Sequence, residues 1–139
     1  MSQSQINFFK QATQFAIVGA SSDQSKFGNK VLRWYQNHVK VPIYPVNPKS
    51  IEIEGLKCVK DLSEIQNINH TSISVITPPH VTTSVLQKAV DLGIRNVWCQ
   101  PGSESVEAIA LAKANGINLI AGGPCILVTG KSSLEAASQ

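Results

Sequence analysis

Five short, largely apolar runs recur along the chain, and each is cut off by glycine or proline: "FAIVGA" (15–20), "VPIYPV" (41–46), "SISVITPP" (72–79), "IRNVWCQPG" (94–102) and "INLIAGGPC" (117–125). Between them lie stretches of helical grammar. In "KFGNKVLRWYQNHV", Phe27, Val31, Tyr35 and Val39 recur four apart with Trp34 beside them, which makes one apolar helix face. "HVTTSVLQKAVDLG" carries Val81, Val85, Leu86, Ala89 and Val90 at helical spacing and closes on Gly93. "SESVEAIALAKANG" adds a serine start at Ser103, early acids and a closing glycine.

Apolar, β-branched strands without polar alternation are buried on both faces. Strands alternating with helices specify a parallel sheet covered on both sides. Right-handed crossovers then restrict the topology, and the fold class expected is α/β: a single doubly wound, Rossmann-like domain. Its five-stranded parallel sheet takes the order 3-2-1-4-5, with helices on both faces. The prolines inside "VPIYPV" count against a central place for that strand, because proline cannot donate to a ladder. The division expected is residues 1–14 as a helical N-terminal extension, 15–128 as the domain and 129–139 as a C-terminal tail. A length of 139 residues suits one core.

Composition narrows the function. A formal charge of +3, with no Lys/Arg block and no aromatic–basic interleaving, leaves nucleic acid an unlikely partner. No apolar stretch approaches a membrane span, and the N-terminus lacks the pattern of a secretory signal, so no membrane association is expected. Cys58, Cys99 and Cys125 show no metal-like spacing, so no metal site is expected. Sparse cysteines without a signal segment point to the cytoplasm.

In an open α/β sheet, ligands bind beyond the carboxyl ends of the strands, where the strand order reverses. With the order above, that point lies between the first and fourth strands. The turns gathered there are Gly19-Ala20-Ser21-Ser22, Asn47-Pro48-Lys49, Thr77-Pro78-Pro79-His80, Gln100-Pro101-Gly102 and Gly122-Gly123-Pro124-Cys125. "GASSDQSKFGNK" is not G-x-G-x-x-G, since eight residues separate Gly19 from Gly28. It still places glycine at a strand end and small hydroxyl residues before a helix start, which suits a phosphate. Glycines that merely allow a turn and close helix packing would look the same. At the end of the second strand a nicotinamide-dinucleotide site would carry an acid for the ribose hydroxyl, and this chain carries Lys49. A lysine there favours a nucleotide with an extra ribose phosphate: NADP or coenzyme A. Residue patterns leave that pair open.

Several segments resemble a known family. "IVGASSDQSKFGNKV", "YPVNPKS…IEGLKCVKDLSEI", "ITPP", "NVWCQPGSES" and "GGPC" fall in the same order as in the small stand-alone CoA-binding proteins. Those proteins share a Rossmann-like domain with the CoA-binding part of the succinyl-CoA synthetase α subunit. The resemblance covers roughly residues 15–128. It implies that Gly19, Ala20, Ser21 and Ser22, with Lys26, Phe27, Gly28 and Asn29, cradle the pyrophosphate. It further implies that Asn47, Pro48 and Lys49 face the adenosine end, with Lys49 near the 3′-phosphate. Thr77, Pro78, Pro79 and His80 would line the nucleotide, and Gln100, Pro101 and Gly102 the pantetheine.

The larger ligase relatives use a phosphorylated histidine placed after this domain. His38, His70 and His80 do not occupy that position, so a complete acyl-CoA ligase is not expected. The expectation is a non-catalytic protein that holds coenzyme A, or an acyl-CoA, at the carboxyl edge. The alternatives are an NADP-dependent oxidoreductase and a CoA-responsive regulatory or partner subunit. Interfaces leave no local motif, so oligomeric state, a homodimer included, stays open. Cys99 and Cys125 end neighbouring strands on the ligand's edge and are candidates for thiol exchange with CoA, which needs a partly exposed thiol of lowered pKa.

Overall fold

The computed structural model describes residues 2–139; Met1, the first residue of the expected extension, lies outside the described residues. Five parallel strands form one sheet: β1 (Gln14–Val18), β2 (Ile43–Val46), β5 (Thr71–Val75), β6 (Asn96–Cys99) and β7 (Asn118–Ile120). A hairpin of β3 (Glu52–Ile53) and β4 (Leu56–Lys57) stands apart, turning through Glu54 and Gly55, both at positive φ. The helices are α1 (Gln3–Lys10), α2 (Phe27–His38), α3 (Pro79–Leu92), α4 (Val106–Ala114) and α5 (Ile126–Ala137). The architecture is the expected α/β, five-stranded, parallel, single domain.

The strand order differs from the expected 3-2-1-4-5. It is β2-β1-β5-β6-β7, or 2-1-3-4-5 when only the five sheet strands are counted. The third strand pairs with β1 rather than beyond β2. Proline supplies the reason. Pro45 stands opposite Ile17 of β1, and its carbonyl accepts from Val59 N on the far side. The nitrogen that cannot donate therefore faces the sheet edge, where only the single bridge Val46–Val59 forms. A strand of this kind is stable at an edge and not in the interior. The order reverses between β1 and β5, so the crevice moves there from the expected position between the first and fourth strands.

Side-chain alternation along the strands feeds two cores. Phe15, Ile17, Trp98 and Ile120 join Phe8 and Phe9 of α1, Val31, Leu32, Trp34 and Tyr35 of α2, and Ile126 of α5. Ala16, Val18, Ile73, Val75, Val97 and Cys99 pack on the opposite face with Leu86 and Ala89 of α3, Ala108 and Ala112 of α4, and Leu62 and Ile65. The chain's two ends thus meet on one face. α1 lies on α5, with Ser133 Oγ donating to Gln5 Oε1 at 3.1 Å, and Ser72 Oγ of β5 donates to Phe8 O at 2.7 Å. Tyr35, deep in that core, bonds Ser74 Oγ at 2.6 Å through its hydroxyl.

Candidate functional site

Every helix from α2 to α5 starts at the carboxyl edge of the sheet, because each follows a strand of a parallel sheet. Their starts are not alike. Ser105 caps α4 by accepting from Ala108 N, and Glu107 lies in its first turn. The expected start at Ser103 is displaced by two residues; Ser103 is buried, and its hydroxyl donates to Val75 O and Gln100 O. By contrast α2 and α3 have no side-chain cap and no acid in the first turn, whereas α5, also without an acid there, has its first N–H taken by Gln100 Oε1. The starts of α2 and α3 are the uncapped ones. Their free N–H groups and positive dipole ends are open to an anion.

The first turn is built by close backbone approach. Gly19 has φ 97°, and a Cβ there would lie 2.6 Å from the Ile76 carbonyl oxygen. A Cβ on Gly28 would collide with the Gly19 carbonyl oxygen, so α2 begins in contact with the end of β1. The loop between them folds on itself: Ser25 N and Oγ donate to Asp23 Oδ1, and Asp23 N donates to Ser21 Oγ. The hydrogen bonds from Ser25 hold the Asp23 carboxyl below its usual pKa range.

Two asparagines expected at the ligand instead hold the loops. Asn29 is buried; its Nδ2 donates to Ser21 O at 2.9 Å and Glu54 Oε2 at 3.1 Å, and its Oδ1 accepts from Arg33 Nε at 2.7 Å. The bond from Asn29 Nδ2, with one from Gln24, keeps the Glu54 carboxyl below its ordinary pKa and ties the hairpin to the first turn. Asn47 Nδ2 donates to Ala20 O at 2.9 Å, while its Oδ1 accepts from Lys49 N and Ser50 N. The amide functions are therefore spent on shaping the turns after β1 and β2.

These turns enclose a cavity of about 410 Å³ on the α3 side of the sheet. Of the expected residues, Gly19, Ala20, Asn47, Pro48 and Thr77 line it. Lys26, Phe27 and Gly28 stand at the start of α2, Ser21 and Ser22 on the loop before it, and Pro78, Pro79 and His80 at the exposed start of α3. Lys49 is exposed outside the lining. The rest of the wall escaped sequence reasoning. Lys60, Asp61 and Leu62 come from the turn beyond the hairpin, and Val81, Ser84, Val85 and Lys88 form one face of α3. Val81 and Val85 belong to the apolar helical spacing of this segment, while Ser84 and Lys88 share their face at i+3 and i+7 without being part of that pattern. Lys88 Nζ pairs with Asp61 Oδ2 at 3.3 Å, and a hydrogen bond from Ser63 is the main cause that holds Asp61 below the usual carboxylate range.

Gln100 does not line this cavity. It is fully buried, its Oε1 accepts from Ile126 N at 3.0 Å, and its Nε2 has no partner. Pro101 and Gly102 are exposed beyond it. Cys99 is buried, and burial pushes its thiol up to about 11, so the condition for thiol exchange is not met there. Cys125 is half-buried at the residue before α5. Among the described residues no helix is long and apolar enough to cross a membrane.

An apolar chamber flanked by lysines, with an uncapped helix start beside it, fits a flat base joined to phosphates. Comparison with known proteins defines the family. The CoA binding domain family matches residues 13–131. Over 92 residues the chain is 26% identical to the α subunit of ADP-forming acetate–CoA ligase II from Pyrococcus furiosus, covering 66% of this chain and 20% of that protein. An ADP-forming acetate–CoA ligase from Methanocaldococcus jannaschii is 26% identical over 91 residues, covering 66% and 13%. The chain thus spans a fifth or less of the length of these curated relatives. The solved structure of a conserved hypothetical protein from P. furiosus is similar with a TM-score of 0.75 and 35% identity, covering 83% of this chain and 97% of that one. None of these matches supports NADP as the ligand. With the match running from β1 into α5, across every turn at the carboxyl edge, the chain belongs to the CoA-binding domain family.

Proposed function

We propose that the chain holds coenzyme A along the carboxyl edge of its sheet and acts by binding rather than by catalysis. The observation that carries this is the pairing of the 410 Å³ cavity with the uncapped start of α2 on the same turn, at the β1–β5 reversal. Val46, Leu62, Val81 and Val85 offer apolar walls to an adenine ring, and Thr77 and Pro48 close its rim. The pyrophosphate lies over Gly19–Ser22 and the first N–H groups of α2, where Lys26 adds charge. Lys60 lines the cavity and Lys49 stands just outside it, so both are placed for the 3′-phosphate; Lys88 is partly neutralised by Asp61. The histidines support a binding role. His38 stacks on Trp34 and bonds Trp34 O, and His80, exposed at the start of α3, has no carboxylate bonded to it.

Calorimetric titration of wild type, Lys49→Ala and Lys60→Ala with CoA and dephospho-CoA tests this. A lysine that contacts the 3′-phosphate contributes a charge-assisted bond, so its loss is expected to weaken CoA about three- to tenfold and dephospho-CoA hardly at all. If wild type binds both ligands equally, no residue here reads the 3′-phosphate. If it binds neither, the binding role is wrong.

A further inference from the structure

We propose that Cys125 is an attachment point for coenzyme A through a mixed disulfide, so that this site is also covalently modified by CoA disulfide. This rests on the binding role above. With the nucleotide in the cavity beside β1, β2 is the sheet's edge on one side, and the other way the strand ends continue through β5 and β6 to β7. Three strand spacings separate β1 from β7, about 14 Å at the usual separation. An extended pantetheine arm covers that span and delivers its sulfur to the turn Gly122–Cys125.

That turn is open above and anchored below. A Cβ on Gly122 or Gly123 would meet nothing within 4 Å, so the approach is clear. Trp98 Nε1 donates to Pro124 O at 3.0 Å, and Val128 N and Thr129 N donate to Cys125 O, so the cysteine's backbone is fixed. Cys125 precedes α5, whose first turn holds no acid, and a helix start favours the negative charge of an attacking thiolate. The acid on this turn is Glu104, whose Oε2 accepts from Gly122 N at 3.4 Å, three residues before Cys125. Gln100 is the independent sign of a ligand. Its Oε1 holds Ile126 N, the residue after Cys125, at 3.0 Å, and the unpartnered Nε2 lies on the same amide group. A buried amide donor left unpaired costs about 1–3 kcal/mol, and the amide carbonyls of pantetheine are acceptors of the required kind. The other thiols are unsuited: Cys99 is buried, and burial and Glu52 push Cys58 up.

In the step, the Cys125 thiolate attacks one sulfur of CoA disulfide. The Cys125 Sγ–S bond forms, the S–S bond of the reagent breaks, and one CoA departs as a thiolate that takes up the proton Cys125 lost. The disulfide is the only oxidant needed, and excess thiol reverses the step.

The test is intact-mass analysis of reduced, desalted protein incubated with CoA disulfide, with peptide mapping, beside equal concentrations of glutathione disulfide. One CoA-sized gain is expected, mapped to Cys125, removed by dithiothreitol and absent from Cys125→Ser. Binding should make it at least about tenfold faster than the glutathione adduct, through the raised local concentration of the reagent. No adduct, an adduct on Cys58, or equal rates for the two disulfides would overturn the proposal. A melting curve of the reduced wild type with CoA separates the two ideas. A shift without an adduct leaves the binding role standing and removes the disulfide; no shift removes both.

Discussion

Gly28→Ala is expected to lower the melting temperature by about 3–12 °C and to remove the shift that CoA produces. The added methyl group would meet the Gly19 carbonyl oxygen, which is backbone and cannot rotate aside. Gly19 is itself pinned, since its own Cβ position lies 2.6 Å from Ile76 O. Relief requires α2 to back away from the ends of β1 and β5. Overpacking of this kind costs about 1–3 kcal/mol, and a chain of this length loses roughly 3–4 °C per kcal/mol. The same retreat moves the N–H groups of α2 away from the turn proposed to hold the pyrophosphate. Gly93→Ala is the control: Gly93 closes α3 at φ 78° with open space around it, so backbone strain alone should cost about 1 kcal/mol and CoA should still shift the melt. Melting curves with and without CoA check both. A Gly28→Ala protein that melts and responds like wild type would show that the contact between α2 and β1 is not what shapes the site.

The other large effect is at Trp98. Its side chain is fully buried against Phe8, with ring centroids 5.4 Å apart and planes at 90°, and its indole N–H holds Pro124 O. Trp98→Ala is expected to cost about 3–5 kcal/mol, read as a lower urea midpoint at unchanged slope. Trp98→Phe keeps most of the packing and loses the hydrogen bond, about 1 kcal/mol, while freeing the turn that carries Cys125. Equal losses for the two variants would mean that the bond to Pro124, not the buried ring, is the main contribution.

Elements that repeat a local period were readable before any coordinates. The five strands and α2 to α4 announce themselves because apolar spacing is a property of neighbours in the chain. Strand order is not such a property. The prolines in "VPIYPV" nevertheless spoke against a central strand, and the expected order overlooked that; the observed edge position of β2 satisfies it. The cavity wall was hidden for a different reason. Val81, Ser84, Val85 and Lys88 form a face whose spacing is the same whether it meets a core or a chamber, and only the turn at Lys60–Leu62 folding toward α3 makes it a chamber. Asn29, Asn47 and Gln100 show a third limit. A polar residue at a strand end or helix start can be recognised in sequence, but whether its amide faces a ligand or a neighbouring loop depends on where that loop runs. For Asn29 and Asn47 the loops took the bonds. For Gln100 one half of the amide went to α5 and the other half has no partner.

The most direct test of the account is amide chemical-shift mapping of the labelled protein during titration with CoA under reducing conditions. Perturbations are expected at Gly19–Asn29, Asn47–Lys49, Lys60–Leu62 and Thr77–Val85, with weaker ones at Gly122–Leu127, the proposed end of the pantetheine arm. Perturbations confined to the opposite edge, around Gln11, Asn69–Ser72 and Arg95, where a separate polar hollow lies, would contradict a ligand at the carboxyl edge.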